Sequence, residues 1–142
     1  FVEVLRARRV EPLLVGTVVV ATWPPHENAV LEAIRDLGLE LQVALNKGAI
    51  MVLPSGVNKA TGLRAALAEL ELSPRNAVAV GDAENDCALL AACGCGVAVA
   101  NAVPMLKERS DWVTTADHGA GAVELIEALV ANDLAWVRAP TR

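Results

Sequence analysis

After residue 56, short apolar segments without a polar face alternate with segments that have helical periodicity. The apolar segments lie at residues 77–80, 96–100 and 112–113. Strands that are apolar on both faces are typical of a parallel sheet whose two faces are covered by helices. The pattern therefore predicts an α/β fold, with helices at residues 58–70, 84–92, 103–109 and 121–130.

The first 53 residues follow a different pattern. Residues 13–22 are rich in Val and Thr and predict a strand, whereas residues 26–37 carry apolar side chains at helical spacing. Gly38 then stands where a helix C-cap is expected. Two short strands are predicted on either side of Asn46-Lys47-Gly48, a sequence typical of a hairpin turn. Together these elements predict a small α+β layer.

Pro54-Ser55-Gly56 separates the two patterns and is the strongest boundary signal in the chain. We therefore predict three parts: the end of a small α+β domain at residues 1–53, part of an α/β core at residues 54–136, and a tail or linker at residues 137–142. Because the chain opens with Phe1 in the middle of a helical pattern, we expect that a preceding segment has been removed.

Composition and charge argue against several classes of function. Hydrophobic residues make up 54% of the 142 residues and charged residues 20%, which is typical of a folded domain. No apolar run reaches the roughly 20 residues of a membrane span, and a net charge of −5 without a basic stripe does not suit nucleic-acid binding. The three cysteines are predicted to be small core residues, because only two isolated histidines accompany them. We therefore expect a soluble cytoplasmic protein.

The predicted strand at residues 77–80 runs directly into the sequence GDAEND, which begins at Gly81. Ligands of open α/β sheets collect at the carboxyl ends of the strands. Asp82 follows the strand, and Asn85 and Asp86 come three and four residues later, on the same side of a first helical turn. Oxygen ligands at this spacing suit a hard cation such as Mg²⁺. The alternative is that the acidic residues only cap the helix and favour its dipole.

A second signal is Lys59, which stands at the start of the helix predicted over residues 58–70. A cation is unfavourable there, because the exposed amides give a helix N-terminus a positive partial charge. A bound anion would remove this conflict, since the amides and the ammonium together make a phosphate site. Lys59 and Asp82 belong to consecutive connections at one edge of the predicted sheet. They therefore predict phosphate beside Mg²⁺, with a solvated surface lysine as the alternative.

The sequence around these residues resembles the haloacid dehalogenase (HAD) superfamily. Lys59 is followed by GLRAAL at residues 62–67, LSPRNAVAVGDAENDCALL at residues 72–90 and GVAVANAVPMLKERSDWVT at residues 96–114. These segments look like the last two motifs of the superfamily and their continuation, and they are similar to Cof-type sugar-phosphate phosphatases and archaeal-type phosphoglycolate phosphatases. The resemblance implies a partial HAD-like, Rossmann-like parallel sheet with helices on both faces, preceded by the end of the family's cap domain.

The resemblance also implies a Mg²⁺-dependent phosphatase that acts on a small phosphorylated metabolite. Lys59 would contact the transferring phosphoryl group. Asp82 would ligate Mg²⁺, and Asp86 would ligate the ion or hold its waters. Asn85 would orient the acidic loop, and Asn101 matches a family asparagine near the same site. These two asparagines are accordingly assigned with Lys59 to phosphate or substrate binding.

One departure from the family pattern concerns the nucleophile. Family members carry an aspartate nucleophile in an N-terminal D-x-D-x-[TV] motif, but no two aspartates of this chain form a D-x-D pair. Covalent catalysis needs an attacking oxygen held in line with the phosphorus. We therefore predict that this chain contains no catalytic residue, that the nucleophile lies upstream of Phe1, and that the chain alone is inactive.

The missing nucleophile strand has a structural consequence. In the family it lies beside the strand that corresponds to residues 77–80, which would then have an unpaired apolar edge. Such an edge invites pairing with another chain. The expected partners are therefore the small phosphorylated substrate and, along this edge, either the amino-terminal remainder of the core or a second copy of the chain.

Two other functions fit parts of the sequence. The phosphorylation domains of P-type ATPases share the G-D-x-x-N-D run, but they typically have Gly where Ala83 stands and they need membrane helices. The second alternative is a non-catalytic HAD-like module that binds or scaffolds after loss of its nucleophile. The intact phosphate and metal residues argue against that loss of function.

The two histidines and the tryptophans are expected to have no part in the chemistry. His26 follows Pro24-Pro25 at a helix start and is expected to cap that helix or lie at the surface rather than select substrate. His118 is expected to be a solvated loop residue, and the three tryptophans are expected to serve packing.

Overall fold

The computed structural model describes residues 1–137. The chain divides between Val57 and Asn58 into two compact units. Apart from Val137, the tail predicted at residues 137–142 lies outside the described residues. None of the described helices is both long enough and apolar enough to span a membrane.

The first unit is a four-stranded antiparallel sheet with two helices. Its elements in chain order are α1 (Val2–Ala7), β1 (Leu14–Val15), β2 (Val20–Thr22), α2 (Glu27–Asp36), β3 (Leu41–Asn46) and β4 (Ala49–Pro54). The strand order is β1-β2-β4-β3. Ile50 and Val52 of β4 are buried in one apolar cluster with Leu5 of α1 and Val30 of α2. This is the α+β layer that the sequence predicted.

Two turns of this unit follow directly from their residues. Lys47 and Gly48 have φ angles of +47° and +87°, as a two-residue primed turn between antiparallel strands requires. Gly38 has a φ of +59° and closes α2 in the left-handed conformation that favours glycine. Both turns confirm the predictions made from the sequence.

The single strand predicted at residues 13–22 is wrong. The chain reverses within this segment, where the amide of Gly16 donates to the carbonyl of Val19 at 2.8 Å. The segment therefore forms the β1–β2 hairpin, in which Val15 pairs with Val20. Strand propensity is high throughout the segment and concealed the turn, because propensity describes single residues and does not detect a reversal of the chain.

The second unit is a parallel sheet with helices on both faces. Its elements are α3 (Lys59–Glu69), β5 (Val78–Gly81), α4 (Cys87–Ala92), β6 (Cys95–Ala98), α5 (Pro104–Lys107), β7 (Trp112–Val113) and α6 (His118–Asn132), with 3₁₀ turns at Pro74–Asn76 and Glu84–Asp86. The strand order is β5-β6-β7, and both pairings are parallel. The predicted fold class is therefore confirmed.

Successive residues of the central strand β6 explain why both faces are covered. Ala98 packs in one apolar cluster with Leu90 of α4 and Leu106 of α5. Val97 packs in a different cluster with Leu125 of α6. Because neighbouring side chains of a strand point to opposite faces, α4 and α5 cover one face of the sheet and α6 covers the other.

The cysteines belong to this packing. Cys93 is buried within the cluster that contains Leu90, and Cys87 and Cys95 are half-buried beside the two clusters. All three thiols are free. Burial raises the pKa of the Cys93 and Cys95 thiols above the ordinary cysteine value. They are the small core residues that the sequence predicted.

Strand β5, which leads into the acidic motif, lies at one edge of the sheet. Among the strands of residues 1–137 it pairs only with β6. Val78 on this strand is 37% exposed. The site described next therefore begins at the end of an edge strand.

Candidate phosphate and metal site

Lys59 is placed by the cap of helix α3. The side-chain oxygen of Asn58 accepts a hydrogen bond from the amide of Thr61 at 3.0 Å, and the Thr61 hydroxyl accepts from the amide of Asn58 at 2.9 Å. This reciprocal capping box satisfies amides that have no partner within the helix. Lys59 is consequently the first residue of α3, as the sequence predicted.

The ammonium of Lys59 forms an ion pair with Oδ1 of Asp86. The Asp86 side chain is only 5% exposed, whereas that of Lys59 is 47% exposed. A cation at a helix start is unfavourable, so the sequence predicts an anion near Lys59. In the structure that anion is a carboxylate of the chain itself, so Lys59 alone does not demonstrate an external phosphate.

The second oxygen of Asp86 is held by the backbone. Oδ2 accepts hydrogen bonds from the amides of Asp82 at 3.0 Å and Ala83 at 3.2 Å. Burial of this carboxyl raises its pKa, but the hydrogen bonds from Lys59, Asp82 and Ala83 together outweigh burial and lower the pKa of Asp86 below the ordinary aspartate value. Asp86 therefore fixes the loop after β5 as an ionised carboxylate.

Gly81 is required by the position of this carboxylate. A Cβ added to Gly81 would lie 2.5 Å from Cβ of Asp86 and 2.8 Å from its Oδ2. Any side chain at residue 81 would thus displace the carboxylate from the amides that hold it. The glycine of the acidic motif serves a close approach between two parts of the same loop.

Three of the five predicted site residues line one cleft of about 480 Å³, namely Lys59, Asp82 and Asp86. They come from the start of α3 and from the loop after β5, as the sequence argument expected. Asn85 lies in the 3₁₀ turn of this loop, and Asn101 follows β6; neither is among the residues that line the cleft. Their assignment to phosphate or substrate binding stays a prediction.

His118 also lines this cleft. The sequence predicts that His118 is a solvated loop residue and that the last helix begins at Gly121, whereas α6 begins at His118. The side chain is indeed exposed, and it lines the cleft. The signal that could have found it is its position just after β7, because the carboxyl ends of parallel strands meet at one edge of a sheet.

Asn101 contacts His118. The side-chain oxygen of Asn101 accepts a hydrogen bond from the amide of His118 at 2.7 Å, and Nδ2 of Asn101 lies 3.1 Å from Nδ1 of His118. The loop after β6 is thereby joined to the start of α6 beside the cleft.

The other histidine, His26, lies in the first unit. It occupies the N-cap position of α2, but its side chain makes no capping hydrogen bond. Instead Nε2 lies 2.8 Å from the carbonyl oxygen of Glu11. The capping alternative is therefore wrong for the side chain, which binds a neighbouring loop.

The described residues do not by themselves form a complete metal site. Within residues 1–137, no group of three or more His, Cys, Asp or Glu side chains could hold a metal ion. Asp82 and Asp86 offer two carboxylates, and the oxygens of Asp86 already accept hydrogen bonds from Lys59 and from two amides. Mg²⁺ often uses one or two carboxylates and completes its shell with water and substrate phosphate. The two carboxylates fit an ion of that kind, shared with a bound phosphate.

Residues 19–126 match the family model of haloacid dehalogenase-like hydrolases. The chain belongs to this family. It is 43% identical over 94 residues to a phosphoglycolate phosphatase of Methanoculleus marisnigri, a match that covers 66% of the chain and 40% of that protein. It is 38% identical over 98 residues to a phosphoglycolate phosphatase of Methanosarcina acetivorans, covering 69% of the chain and 42% of that protein. The chain thus spans about two fifths of the length of these relatives.

Solved structures of HAD-like proteins share the fold. The sucrose-phosphatase of Synechocystis, solved in complex with sucrose and phosphate, has a TM-score of 0.65 and 22% sequence identity to this chain. The likeness covers 92% of the chain and 62% of the sucrose-phosphatase. At this identity the likeness shows the HAD-like fold alone. The family resemblance stated from the sequence is confirmed.

Proposed function

We propose that this chain supplies the phosphate- and metal-binding part of a Mg²⁺-dependent phosphomonoester hydrolase. The observation that carries the proposal is the cleft shared by Lys59, Asp82 and Asp86. Membership of the HAD-like hydrolases and likeness to two phosphoglycolate phosphatases support it. The proposed substrate is a small phosphorylated metabolite, such as a sugar phosphate or phosphoglycolate.

Lys59 has the donors that a phosphoryl group needs. An ammonium carries three N–H donors, and within residues 1–137 only Asp86 accepts from that of Lys59. With 47% of its side chain exposed, Lys59 keeps donors available for phosphoryl oxygens. Charge-assisted hydrogen bonds of this kind are shorter and stronger than neutral ones.

The charges that line the cleft call for a cation in addition to Lys59. The carboxylates of Asp82 and Asp86 outnumber its single ammonium, so the lining carries a net negative formal charge. A phosphate dianion would be repelled by such a lining. Asp82 would hold Mg²⁺ directly and Asp86 would hold its waters; when bound, the ion would neutralise charge on the phosphoryl group.

We further propose that the chain alone binds phosphate without turnover. No two of its aspartates form the D-x-D pair that carries the family's nucleophile. The edge of β5 would accept the strand that brings this nucleophile, either from the amino-terminal part of the same core or through association of two copies. In this proposal, the α+β layer predicted at residues 1–53 is the end of the cap domain.

Calorimetric titration with inorganic phosphate in Mg²⁺ tests the binding site, and hydrolysis of an aryl phosphate tests turnover. We expect the chain to bind phosphate, Lys59→Met and Asp82→Asn each to weaken binding about tenfold or more, and no variant to hydrolyse the ester. Asp133→Asn is the matched control, because Asp133 is an exposed aspartate of the same unit that does not line the cleft.

Two results would contradict the proposal. If the chain binds no phosphate with or without Mg²⁺, the phosphate site is refuted. If the chain itself hydrolyses the ester and Asp82→Asn abolishes this activity, the nucleophile lies within these residues. A longer form that carries an upstream D-x-D motif is expected to be active and to lose its activity in Asp82→Asn.

A further inference from the structure

His118 is held in a defined orientation at the same cleft as Lys59 and Asp82. The carbonyl oxygen of the Asn101 side chain accepts from the backbone amide of His118 at 2.7 Å. This contact determines which end of the Asn101 amide is oxygen, because a backbone N–H can only donate. The other end, Nδ2, lies 3.1 Å from Nδ1 of the His118 ring.

These contacts also determine the tautomer of His118. Nδ2 of an asparagine is a donor and has no acceptor capacity. Nδ1 of His118 must therefore accept, which places the ring proton of the neutral imidazole on Nε2. Among the contacts of residues 1–137, Nε2 of His118 makes no hydrogen bond. The ring thus presents one N–H donor to a ligand.

A ligand that meets this ring must be a hydrogen-bond acceptor. A metal ion needs an unprotonated nitrogen, and Nδ1 is occupied by Asn101 while Nε2 carries the proton. The cleft is otherwise lined by one ammonium, two carboxylates and apolar or glycine residues. Among the lining residues of the described part of the chain, only Lys59 and His118 have side chains that can donate a hydrogen bond to an anionic substrate oxygen.

We propose that His118 donates from Nε2–H to an anionic oxygen of the bound substrate, and that Asn101 is the positioning residue that holds His118 in this tautomer. The inference rests on the proposed phosphate-binding function and adds a specificity-determining residue to it. The oxygen belongs either to the phosphoryl group or to a carboxylate of the substrate, since both are anionic acceptors. Asn101, predicted from the sequence to bind substrate, acts through His118.

Nitrogen-detected NMR of the two histidine rings at about pH 8.5 tests the inference directly. We expect Nδ1 of His118 to be unprotonated, and its Nε2–H resonance to shift on addition of inorganic phosphate or phosphoglycolate with Mg²⁺. His26, whose Nε2 lies 2.8 Å from the carbonyl oxygen of Glu11, is the second histidine, and its ring resonances are assigned separately. The wild-type measurement needs no variant to fold.

Two variants separate the roles of the residues. His118→Ala is expected to weaken binding about tenfold, the loss of one hydrogen bond to a charged oxygen. If His118→Ala weakens the binding of both inorganic phosphate and phosphoglycolate, the oxygen belongs to the phosphoryl group. If it weakens the binding of phosphoglycolate alone, the oxygen belongs to the carboxylate. Asn101→Asp keeps an acceptor for the His118 amide but cannot donate to Nδ1. It is expected to move the ring proton to Nδ1.

The failure of this inference is distinguishable from failure of the proposed function. Suppose that both ligands bind and that Lys59→Met weakens this binding. If the His118 resonances then do not shift and His118→Ala binds as tightly as wild type, the role of His118 is refuted and the phosphate site stands. If neither ligand binds the wild-type chain, both are refuted. If the His118 ring of the Asn101→Asp variant is still protonated at Nε2, the positioning role of Asn101 is refuted.

Discussion

Replacing Lys59 with Met removes the charge that faces Asp86 and keeps most of the apolar stem. Removing one partner of a fully buried ion pair costs about 3–5 kcal/mol, whereas exposed pairs contribute about 0–1 kcal/mol. This pair is intermediate, because the carboxylate is 5% exposed and the lysine 47% exposed. Water screens the half-exposed lysine, so the loss must be smaller than for a fully buried pair. We therefore expect Lys59→Met to lower the free energy of unfolding by about 1–2 kcal/mol at pH 7.

The pH dependence of this loss has a definite sign. The folded pKa of Asp86 is lowered, since its hydrogen bonds outweigh its burial. The ionised carboxylate therefore stabilises the fold above the ordinary aspartate pKa, and this stability is lost as pH falls through the folded value. Without Lys59, burial is opposed only by the amides of Asp82 and Ala83, so the pKa of Asp86 rises. The difference in free energy of unfolding between wild type and variant is thus full at pH 7 and shrinks only as the pH falls below the ordinary aspartate pKa toward the lowered folded pKa of Asp86.

Urea unfolding measured by tryptophan fluorescence gives the free energies. In a Trp23→Phe background the signal comes from Trp112 and Trp136 of the second unit, whose rings meet edge to face at 4.8 Å. Lys107→Met is the matched control, since within residues 1–137 Lys107 makes no side-chain ion pair. A Lys59→Met loss equal to that of the control, or a loss that grows as the pH is lowered from 7, would refute this account of the ion pair.

The remaining predictions concern Gly81, helix α3 and the metal. Gly81→Ala is expected to lower the free energy of unfolding by about 1–3 kcal/mol, because its Cβ would lie 2.5 Å from Cβ of Asp86. Gly62→Ala in helix α3 is expected to raise the free energy of unfolding by about 0.5–1 kcal/mol, because its Cβ meets nothing within 4 Å. Urea unfolding of the two variants compares them, and effects of the same sign would contradict the steric argument. Asn58→Ala removes the cap acceptor for the Thr61 amide and is expected to lower the same quantity by about 1 kcal/mol; no change would show that the cap does not stabilise α3. Removal of Mg²⁺ with EDTA is expected to weaken inorganic phosphate binding about tenfold or more in calorimetry, and unchanged affinity would remove the metal from the proposal.

The fold was predictable where side-chain pattern and backbone geometry agree. Apolar segments without a polar face gave the parallel strands, and Gly38 and the Lys47-Gly48 turn carry local signals for the conformations they adopt. The reversal after β1 was not predictable in this way. Gly16 lies within a run of strand-forming residues, and the hairpin depends on the pairing of β2 with β4, which is distant in sequence.

The site was predictable as a group of residues but not as a set of contacts. Lys59 and Asp82 stand where the ends of neighbouring elements meet, and this position follows from the order of strands and helices. The partner of Lys59 was hidden, because Asp86 reaches it only by folding back over Gly81. His118 was missed since β7 is only two residues long, and the glycines after it obscured the start of α6.

The ion pair between Lys59 and Asp86 sets a threshold for any anion that enters the cleft. The carboxylate is tethered to the loop after β5, so its effective concentration at the ammonium is far above that of free anions. A dilute monoanion such as chloride or acetate therefore does not displace Asp86 and meets only the remaining donors of the Lys59 ammonium. A ligand that brings a larger charge, or a divalent cation along with it, shifts the competition in its own favour. Occupancy of the cleft then depends on the charge that a ligand carries as well as on its shape.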